Sequence, residues 1–388
     1  MDAMEDVAKA DKLMTTHHGA APSARRIVEA GGAQPAFERR RGRGASLNTS
    51  GRYERERRVA FDDGWQSLED LPPFKTEVQV EAARTIITRN TSPDVPFDRS
   101  INPYRGCEHG CSYCFARPTH AFMGMSAGLD FESRLFVKRN AADLLERELS
   151  RPGYTPAPIA IGTNTDPYQP VEKTHMTTRT ILEVLDATDH PVSITTKSAL
   201  ILRDIDILSS MATRGLVRTC LSITTLDHKL SRALEPRAST PTKRLDAIRQ
   251  LAQAHIPVSV NAAPMIPALN DHELERILDC AAAAGAEQAD YILLRLPQEV
   301  SPLFKDWLLQ HVPDRYRHIM SLIRSMRGGR DYDANWGKRM RGEGPYAWQI
   351  KRRFDIQMKK LGMRRKRLDM RCDLFKAPKP GGVQLSLL

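Results

Sequence analysis

The chain has 388 residues, of which 41% are hydrophobic and 27% are charged, and its formal net charge is +11 at pH 7. These proportions are those of an ordinary soluble globular protein, and no run of about 18 apolar residues could span a bilayer. The first 19 residues contain acidic side chains and no apolar stretch, which argues against a secretory signal. We therefore expect a cytoplasmic protein with no membrane partner.

The positive charge is concentrated in the two flanks of the chain. Residues 21–60 contain ten arginines and four glutamates, and residues 327–388 contain seventeen lysines and arginines against six acidic residues. The flanks thus contribute +6 and +11, which leaves a net charge of −6 for the rest. Basic flanks on a mildly acidic body favour a nucleic-acid partner, although many basic tails are simply solvated.

From residue 98 onward, short β-rich runs alternate with helical stretches. The predicted strands cover residues 100–106, 158–165, 191–198, 217–225, 257–266 and 291–297. The predicted helices cover residues 139–150, 176–187, 200–214, 241–254, 271–284 and 302–326, with capping signals such as Asn270 or Asp271. Near-continuous apolar strands joined by helices predict an α/β fold, with a parallel sheet curled into a partial (βα)6 barrel of the TIM type.

The same pattern predicts four segments. Residues 1–60, rich in Ala, Gly, Arg and Ser, are expected to form a disordered or loosely attached arm. Residues 61–97 would pack on the barrel as an N-terminal extension, and residues 98–328 would form the barrel itself. Residues 329–388 would then form a basic C-terminal extension and tail.

Three of the six cysteines, Cys107, Cys111 and Cys114, stand within eight residues in "GCEHGCSYCF". They follow the first predicted strand, on the side where a βα barrel presents its reactive groups. The spacing C-x3-C-x2-C favours a [4Fe–4S] cluster held at three corners, whose fourth iron is open to a chelating small molecule. Two alternatives remain: a zinc site completed by His109 or His120, and three cysteines that only pack in the core.

The segment "DRSINPYRGCEHGCSYCFARPTH", which begins at Asp98, resembles the signature of the radical SAM superfamily, in particular the branch that contains spore photoproduct lyase. The likeness continues through "GTNTDPYQP", "TTKSALILRD", "EPRASTPTKR" and "PALNDHELE" to about Arg330. It implies the partial barrel, a [4Fe–4S] cluster, S-adenosylmethionine (SAM) and an electron donor. It also implies that one electron from the cluster cleaves SAM to methionine and a 5′-deoxyadenosyl radical, which takes a hydrogen atom from the substrate.

The resemblance also implies roles for individual residues. Cys107, Cys111 and Cys114 would hold the cluster. Tyr113 would lie near the adenine of SAM, and Lys197 would bind its carboxylate, unless Lys197 is a plain surface lysine. Polar residues that end the second and fourth strands would complete the SAM site, although the last two named here could equally be packing residues: Thr163, Asn164, Asp166, Ser222 and Thr224.

The chain departs from the lyase pattern at the hydrogen-donating cysteine. In the lyase this cysteine lies near the end of the second strand, where the present chain reads "GTNTD" at residues 162–166. Cys220 would lie roughly 13 Å below the rim, because four residues separate it from Thr224. We therefore predict a radical SAM enzyme acting on nucleic acid, in DNA repair or a lyase-like reaction. The alternatives are radical SAM modification of RNA or protein, and a noncatalytic zinc or iron–sulfur nucleic-acid-binding protein.

The last five residues, 384–388, read "QLSLL" after the flexible segment "KAPKPGG". They resemble the short peptide with which bacterial repair and replication proteins bind the sliding clamp. Leu385 and Leu388 would enter an apolar pocket, and Gln384 would fix the register by hydrogen bonds. The alternative is that this end docks on its own barrel. Clamp binding would favour DNA over RNA, because a clamp encircles DNA.

Overall fold

The structure is a computed structural model that describes residues 43–53, 75–364 and 369–378. All of these residues belong to one compact unit, Phe37–Leu388. Most of the predicted arm and the predicted clamp-binding end lie outside the described residues, so those two expectations stay predictions. No helix in the described ranges is long and apolar enough to cross a membrane.

Ten strands form two sheets within the described chain. The main sheet has the order β10-β9-β8-β7-β6-β3-β2, in which β3 and β6 to β10 run parallel and β2 pairs antiparallel at one edge. A smaller sheet has the order β1-β5-β4. The strands are β1 (Glu77–Val80), β2 (Ile87–Arg89), β3 (Arg99–Ile101), β4 (Tyr104–Arg105), β5 (Arg134–Val137), β6 (Ile159–Ile161), β7 (Val192–Thr196), β8 (Val217–Ser222), β9 (Val258–Met265) and β10 (Gln288–Leu293).

Helices connect the parallel strands and bury an apolar face against the sheet. Ile181 and Leu185 on one helix, for example, belong to the same buried core as Ile159 and Ile194 on the strands, and burying each such side chain contributes about 1.5–3 kcal/mol. The α-helices are α1 (Leu129–Ser133), α2 (Ala141–Leu149), α3 (Glu172–His175), α4 (Thr177–Ala187), α5 (Ile205–Thr213), α6 (His228–Leu234), α7 (Pro241–Gln253), α8 (Leu274–Ala283), α9 (Val300–His311), α10 (Tyr316–Ser325) and α11 (Pro345–Lys360).

The predicted α/β class is confirmed, and five of the six predicted strands overlap β6 to β10 of the main sheet. The single strand predicted over residues 100–106 is wrong, because the chain forms β3 in the main sheet and then β4 in the small sheet. The single helix predicted over residues 302–326 is wrong, because the chain forms α9 and α10 with a break at Val312 and Pro313. Proline has no N–H group to continue the helical hydrogen bonds. The predicted cap at Asn270 is also wrong, since its side chain accepts from the N–H of Ile266 and donates to the carbonyls of Thr224 and Pro264.

The inner face of the main sheet lines a cavity of about 460 Å³. Thr195 of β7 lies opposite Cys220 of β8 in the strand register, and both side chains line this cavity. The next residue on each strand, Thr196 and Leu221, is buried. This alternation is that of strands with a polar inner face and a helix-covered outer face.

Candidate functional site

The three clustered cysteines lie in a loop that directly follows β3 and β4. The N–H of Cys107 donates to the carbonyl of Phe131 (2.9 Å), and the N–H of Gly110 donates to the carbonyl of Cys107 (3.3 Å). Gly110 has a φ of 67°, and a β-carbon there would stand 2.6 Å from a carboxylate oxygen of Glu132. The positive φ and the close approach of Glu132 therefore favour glycine at this turn of the cysteine loop.

None of the three thiols is in a disulfide; Cys107 and Cys111 are buried and Cys114 is half-buried. Burial raises the pKa of all three thiols. The Asp166 carboxylate raises the pKa of Cys107 further, whereas the Lys197 ammonium opposes the rise at Cys111 and Cys114. Thiolates at these positions need a positive charge beside them, which a bound iron group would supply.

Among the described residues, no group of three or more His, Cys, Asp or Glu side chains converges on a single ion position. A cubane does not require such convergence, because each cysteine binds a different iron. The two histidines considered for zinc each have one ring nitrogen close to an oxygen atom of the protein. The Nε2 atom of His120 lies 3.0 Å from the carbonyl of Arg134, and the Nδ1 atom of His109 lies 3.4 Å from a carboxylate oxygen of Asp166.

Arg117 supports the cysteine loop through hydrogen bonds to the backbone of the loop. Its side chain is completely buried, and its guanidinium donates to the carbonyls of Cys111 (2.9 Å), Gly110 (3.2 Å) and Gly128 (2.9 Å). It also forms an ion pair with Glu132, which is equally buried. One side chain thus fixes the backbone of two positions of the loop, and its charge is neutralised within the protein interior.

Residues 43–45, at the start of the described chain, pack against the cysteine loop at Gly110. The N–H groups of Gly44 and Ala45 donate to the carboxylate of Glu132 at 2.9 and 2.8 Å. A β-carbon at residue 44 would stand 1.6 Å from the carbonyl oxygen of Gly110, so only glycine allows this approach. Glu132 therefore ties this segment to the cysteine loop as well as to Arg117.

Tyr113 belongs to a buried polar network. Its hydroxyl donates to the carboxylate of Glu235 and lies 3.1 Å from the hydroxyl of Thr224, which itself donates to Glu235 at 2.6 Å. Arg244 forms a buried ion pair with the same carboxylate. Burial alone would raise the pKa of Glu235, but the charges of Arg244 and Lys197 outweigh it and lower the pKa below its usual range. Glu235 is therefore an anion that fixes Tyr113.

Lys197 follows β7 and lies beside the cysteine loop. Its ammonium stands 6.0 Å from the centre of the Tyr113 ring, and its backbone N–H donates to Asp166 at 2.7 Å. Its carbonyl accepts from the N–H of Ser239 at 3.3 Å. The structure thus brings Lys197 and Tyr113 together, and it holds the lysine backbone on both sides while the charged end faces the loop.

Asp166 joins the ends of β6 and β7. Its carboxylate accepts from the hydroxyl of Thr196 (2.6 Å) and from the N–H groups of Lys197 (2.7 Å) and Tyr168 (2.9 Å). Burial would raise the pKa of Asp166, but the His109 imidazole and these hydrogen bonds lower it to about 2. The carboxylate is thus an anion whose two oxygens are already bonded to protein, which makes it a positioning group.

The remaining predicted residues lie at the same edge of the sheet. Asn102 donates to the hydroxyl of Thr163 (3.0 Å) and accepts from the N–H of Asn164 (2.9 Å), so it shapes the turn after β6. Ser222 is buried at the end of β8, and its carbonyl accepts from Arg244 at 2.9 Å. Thr163 lines the inner cavity, whereas Asn164 is exposed.

The sequence did not indicate the charged residues that build this site. Arg117, Glu132, Glu235 and Arg244 are all buried and form two ion pairs. Their signal in the sequence is weak. Arg117 stands three residues after Cys114, and Glu235 and Arg244 lie at either end of "EPRASTPTKR", a segment that carried the resemblance but received no role.

The sequence model of the Radical SAM superfamily matches residues 101–281, which include the cysteine loop, Lys197 and Glu235. An uncharacterized protein of Mycobacterium tuberculosis is 37% identical over 230 residues, which are 58% of this chain and 68% of that protein. An uncharacterized protein of Methanocaldococcus jannaschii is 29% identical over 219 residues, which are 56% of this chain and 78% of that protein. The chain belongs to the radical SAM superfamily.

Solved structures of spore photoproduct lyase share the fold. The lyase complexed with dinucleoside spore photoproduct has a TM-score of 0.54 at 16% identity, over 73% of this chain and 79% of that chain. A lyase variant with bound AdoMet and dinucleoside spore photoproduct has a TM-score of 0.52 at 16% identity, over 73% and 78% of the two chains. At this level of identity the likeness concerns the fold alone.

Membership confirms the predicted cofactors and the prediction of an enzyme. Radical SAM enzymes use a [4Fe–4S] cluster and SAM. Three unpaired thiols on one turn-rich loop, with the Lys197 cation beside them, fit the donor set that such a cluster requires.

Proposed function

We propose that Cys107, Cys111 and Cys114 hold the cluster and that SAM binds beside them. Three thiols without disulfide partners, two buried and one half-buried, stand within eight residues, and they carry this proposal. When bound, the cluster would supply one electron, received from an external donor, for reductive cleavage of the SAM sulfonium to methionine and a 5′-deoxyadenosyl radical able to abstract hydrogen from a substrate. The protein's part is to orient the two cofactors and to keep the loop in one conformation, which Arg117 does through its carbonyl contacts.

Lys197 and Tyr113 are the residues best placed to contact SAM. The Lys197 ammonium is a suitable partner for a carboxylate, and its location 6.0 Å from the Tyr113 ring puts both next to the cysteine loop. Tyr113 would present its ring to the adenine, because Glu235 fixes its hydroxyl on the far side. Thr163, Asn164 and Ser222 would line the site, whereas Asp166 and Thr224 would act by positioning, since their oxygens are bonded to protein.

We propose nucleic acid, and DNA in preference to RNA, as the substrate. The charge of the chain favours this class, since residues 327–388 carry seventeen basic and six acidic side chains. Helix α11 adds a specific surface from this region. Trp348 is 64% exposed, and it stands one turn before Arg352 and two turns before the exposed Ile356. An exposed aromatic side chain among basic ones is typical of nucleic-acid-binding surfaces.

The fold neighbour supports the same substrate class, because the lyase was solved with a dinucleoside photoproduct. Residues 162–166 contain no cysteine where the lyase pattern has its hydrogen donor. We therefore propose DNA repair or a lyase-like reaction on DNA, and not the lyase reaction itself.

The test is an anaerobic assay of the iron-loaded protein with a chemical reductant, SAM and deuterated DNA, RNA or protein. Deuterium in the 5′-deoxyadenosine product from DNA would support the proposal. Label from RNA or from protein alone would contradict the DNA assignment and leave the radical chemistry intact. A colourless protein with one bound zinc would contradict the enzyme proposal, and the Cys111→Ala protein is the matched blank.

The sliding clamp stays a separate proposal, because residues 384–388 lie outside the described chain. Deleting these five residues should abolish binding to the clamp in a calorimetric titration and leave iron content and SAM cleavage unchanged. The deletion tests only this interaction, so its result does not bear on the cluster. An intact protein that gives no heat of binding with the clamp would contradict the proposal.

A further inference from the structure

Phe115, the residue after Cys114, is an aromatic side chain at the outer rim of the cysteine loop. It is 42% exposed, although the three cysteines that precede it are buried or half-buried. The guanidinium of Arg295, two residues beyond the end of β10, lies 4.5 Å from the centre of the Phe115 ring. The pair therefore joins the cysteine loop to the opposite end of the main sheet, at the surface.

Arg295 forms no salt bridge with a carboxylate among the described residues. Its only hydrogen-bond contact there is a weak one, from a terminal nitrogen to the sulfur of Met340 at 3.6 Å. Its Nε atom is buried and has no hydrogen-bond partner within the same residues. A buried donor without a partner is unfavourable for the fold alone. Such a donor is explained most simply by a ligand that accepts its hydrogen bond.

The surroundings of Arg295 are positively charged. The guanidinium of Arg327 donates to backbone carbonyls, including that of Leu294 at 3.0 Å, and its pKa is lowered by burial and by the nearby charge of Arg295. The carboxylate of Asp94 is bonded to Arg339 and to the N–H of Gly337. Asp94 also acts on Arg295 electrostatically, without a salt bridge to it. Its single negative charge is therefore shared between Arg295 and Arg339, and the two arginines keep a net positive charge that attracts anions.

We infer that Arg295 and Phe115 form a subsite for one nucleotide of an unpaired strand. The guanidinium would bind a phosphate through charge-assisted hydrogen bonds, and the exposed side of the Phe115 ring would stack on a base. The inference rests on the proposed nucleic-acid substrate and makes it more specific. The nucleotide beside the cysteine loop would be unstacked from its duplex or already single-stranded, because a paired base has no free face for Phe115.

Among the described contacts, these substitutions remove the cation–π contact between the two residues and, for Arg295, the weak contact to the Met340 sulfur. Arg295→Met keeps the length and apolar packing of the stem and removes the charge. Phe115→Leu keeps an apolar side chain and removes the aromatic face. Arg249→Met is the matched control, since Arg249 is an exposed arginine on α7 that pairs with Asp246 and loses the same charge.

The measurement is the affinity of the iron-loaded protein for a fluorescent single-stranded DNA 12-mer and for its duplex, by anisotropy at several salt concentrations. We expect Arg295→Met to weaken single-strand binding by about 10-fold to 100-fold and to flatten the salt dependence by about 0.7 log units. Phe115→Leu should weaken it by about 5-fold to 100-fold with an unchanged salt slope. Duplex binding should change less, and Arg249→Met should bind as the wild type. Iron content checks that each protein carries its cluster.

The outcomes separate this inference from the proposed function. If the wild type binds DNA and both variants bind it with wild-type affinity and salt slope, the subsite is wrong and the nucleic-acid proposal stands. If the wild type binds neither DNA nor RNA, the proposed nucleic-acid substrate is wrong, and so is the nucleotide subsite. If Arg295→Met lowers the affinity for an acidic peptide and leaves the affinity for oligonucleotides unchanged, the subsite binds a protein ligand and the inference is overturned.

Discussion

The two sides of the cysteine loop differ in how completely their charges are paired. On the inner side, Arg117 and Arg244 are almost fully buried, and each forms an ion pair with a buried glutamate. On the outer side, Arg295 has no carboxylate partner among the described residues and lies on the exposed ring of Phe115. The inner side fixes the geometry of the loop, whereas the outer side retains the hydrogen-bonding capacity that a ligand can use.

Buried ion pairs such as those of the inner side do not add much net stability, because desolvation offsets most of the attraction. Here the ion pairs hold the cysteine loop in one position. The four carbonyl contacts of Arg117 and the contacts of Glu132 to Gly44 and Ala45 leave the loop little freedom. Removing one residue of a buried ion pair should therefore lower the stability of the fold strongly. Changing the outer side should alter ligand binding and leave the fold unchanged.

The largest effect is expected for Cys111→Ala. A cluster held by three cysteines has no spare ligand, so the variant should lose nearly all bound iron and all cleavage of SAM, with an unchanged circular dichroism spectrum. Cys280→Ala, on α8, is the matched control and should keep both. Full iron content and normal product formation in Cys111→Ala would show that the loop is not the cluster site.

The next largest effect is expected on the inner side. Arg117→Met leaves Glu132 buried without its partner, which should reduce the free energy of unfolding by about 3–5 kcal/mol in urea denaturation. The double variant Arg117→Met, Glu132→Leu should recover part of this loss, because it removes both charges. Arg249→Met, which breaks an exposed pair, should change stability by no more than about 0.5 kcal/mol. A loss in Arg117→Met as small as this would contradict the role of the inner side.

A smaller effect is expected for Lys197→Ala. Loss of a charge-assisted hydrogen bond to the SAM carboxylate should weaken SAM binding by about 10-fold to 100-fold, or about 1.5–3 kcal/mol, with little change in iron content. Equilibrium binding of SAM to the iron-loaded protein measures this, and Lys243→Ala on α7 is the control. Equal affinity for SAM in the Lys197 and Lys243 variants would show that Lys197 does not bind SAM and is only a surface lysine.

The smallest effect per residue is expected in the basic tail, residues 364–367, where we expect each side chain to contact a single phosphate. Neutralising Arg364, Arg365, Lys366 and Arg367 should lower the affinity for DNA and flatten its salt dependence by about 0.7–0.9 log units for each lost phosphate contact. Of these four, only Arg364 is described, in an exposed ion pair with Glu287 at 3.2 Å. An unchanged slope would mean that the tail is solvated and does not contact DNA.

The fold was predictable from the sequence because apolar strands and capped helices are local patterns. The cysteine loop was predictable for the same reason, since Cys107 and Cys114 are seven residues apart. The inner side was not, because Arg117 and Glu132 are separated by fifteen residues, and nothing in either position shows that the two become buried together. Gly44, which crosses the loop, lies in a segment whose composition predicted a loose arm.

The outer side was beyond sequence analysis for a different reason. Arg295 lies inside the strand predicted over residues 291–297, and nothing in the sequence distinguishes it from the other polar residues of the predicted strands. Its distinguishing features are a buried Nε without a partner and a place on the Phe115 ring, and both depend on how β10 and the cysteine loop meet. Exposure and missing partners are properties of the folded chain, and neighbouring residues in the sequence do not encode them.

We propose above all that the loop of Cys107, Cys111 and Cys114 supports reductive cleavage of SAM. The most direct measurement is the iron content of anaerobically purified protein, together with 5′-deoxyadenosine and methionine formed after addition of a chemical reductant and SAM. We expect a brown protein with about four irons per chain that forms both products only when reductant is present. An iron-loaded protein that leaves SAM intact under these conditions would contradict the claim.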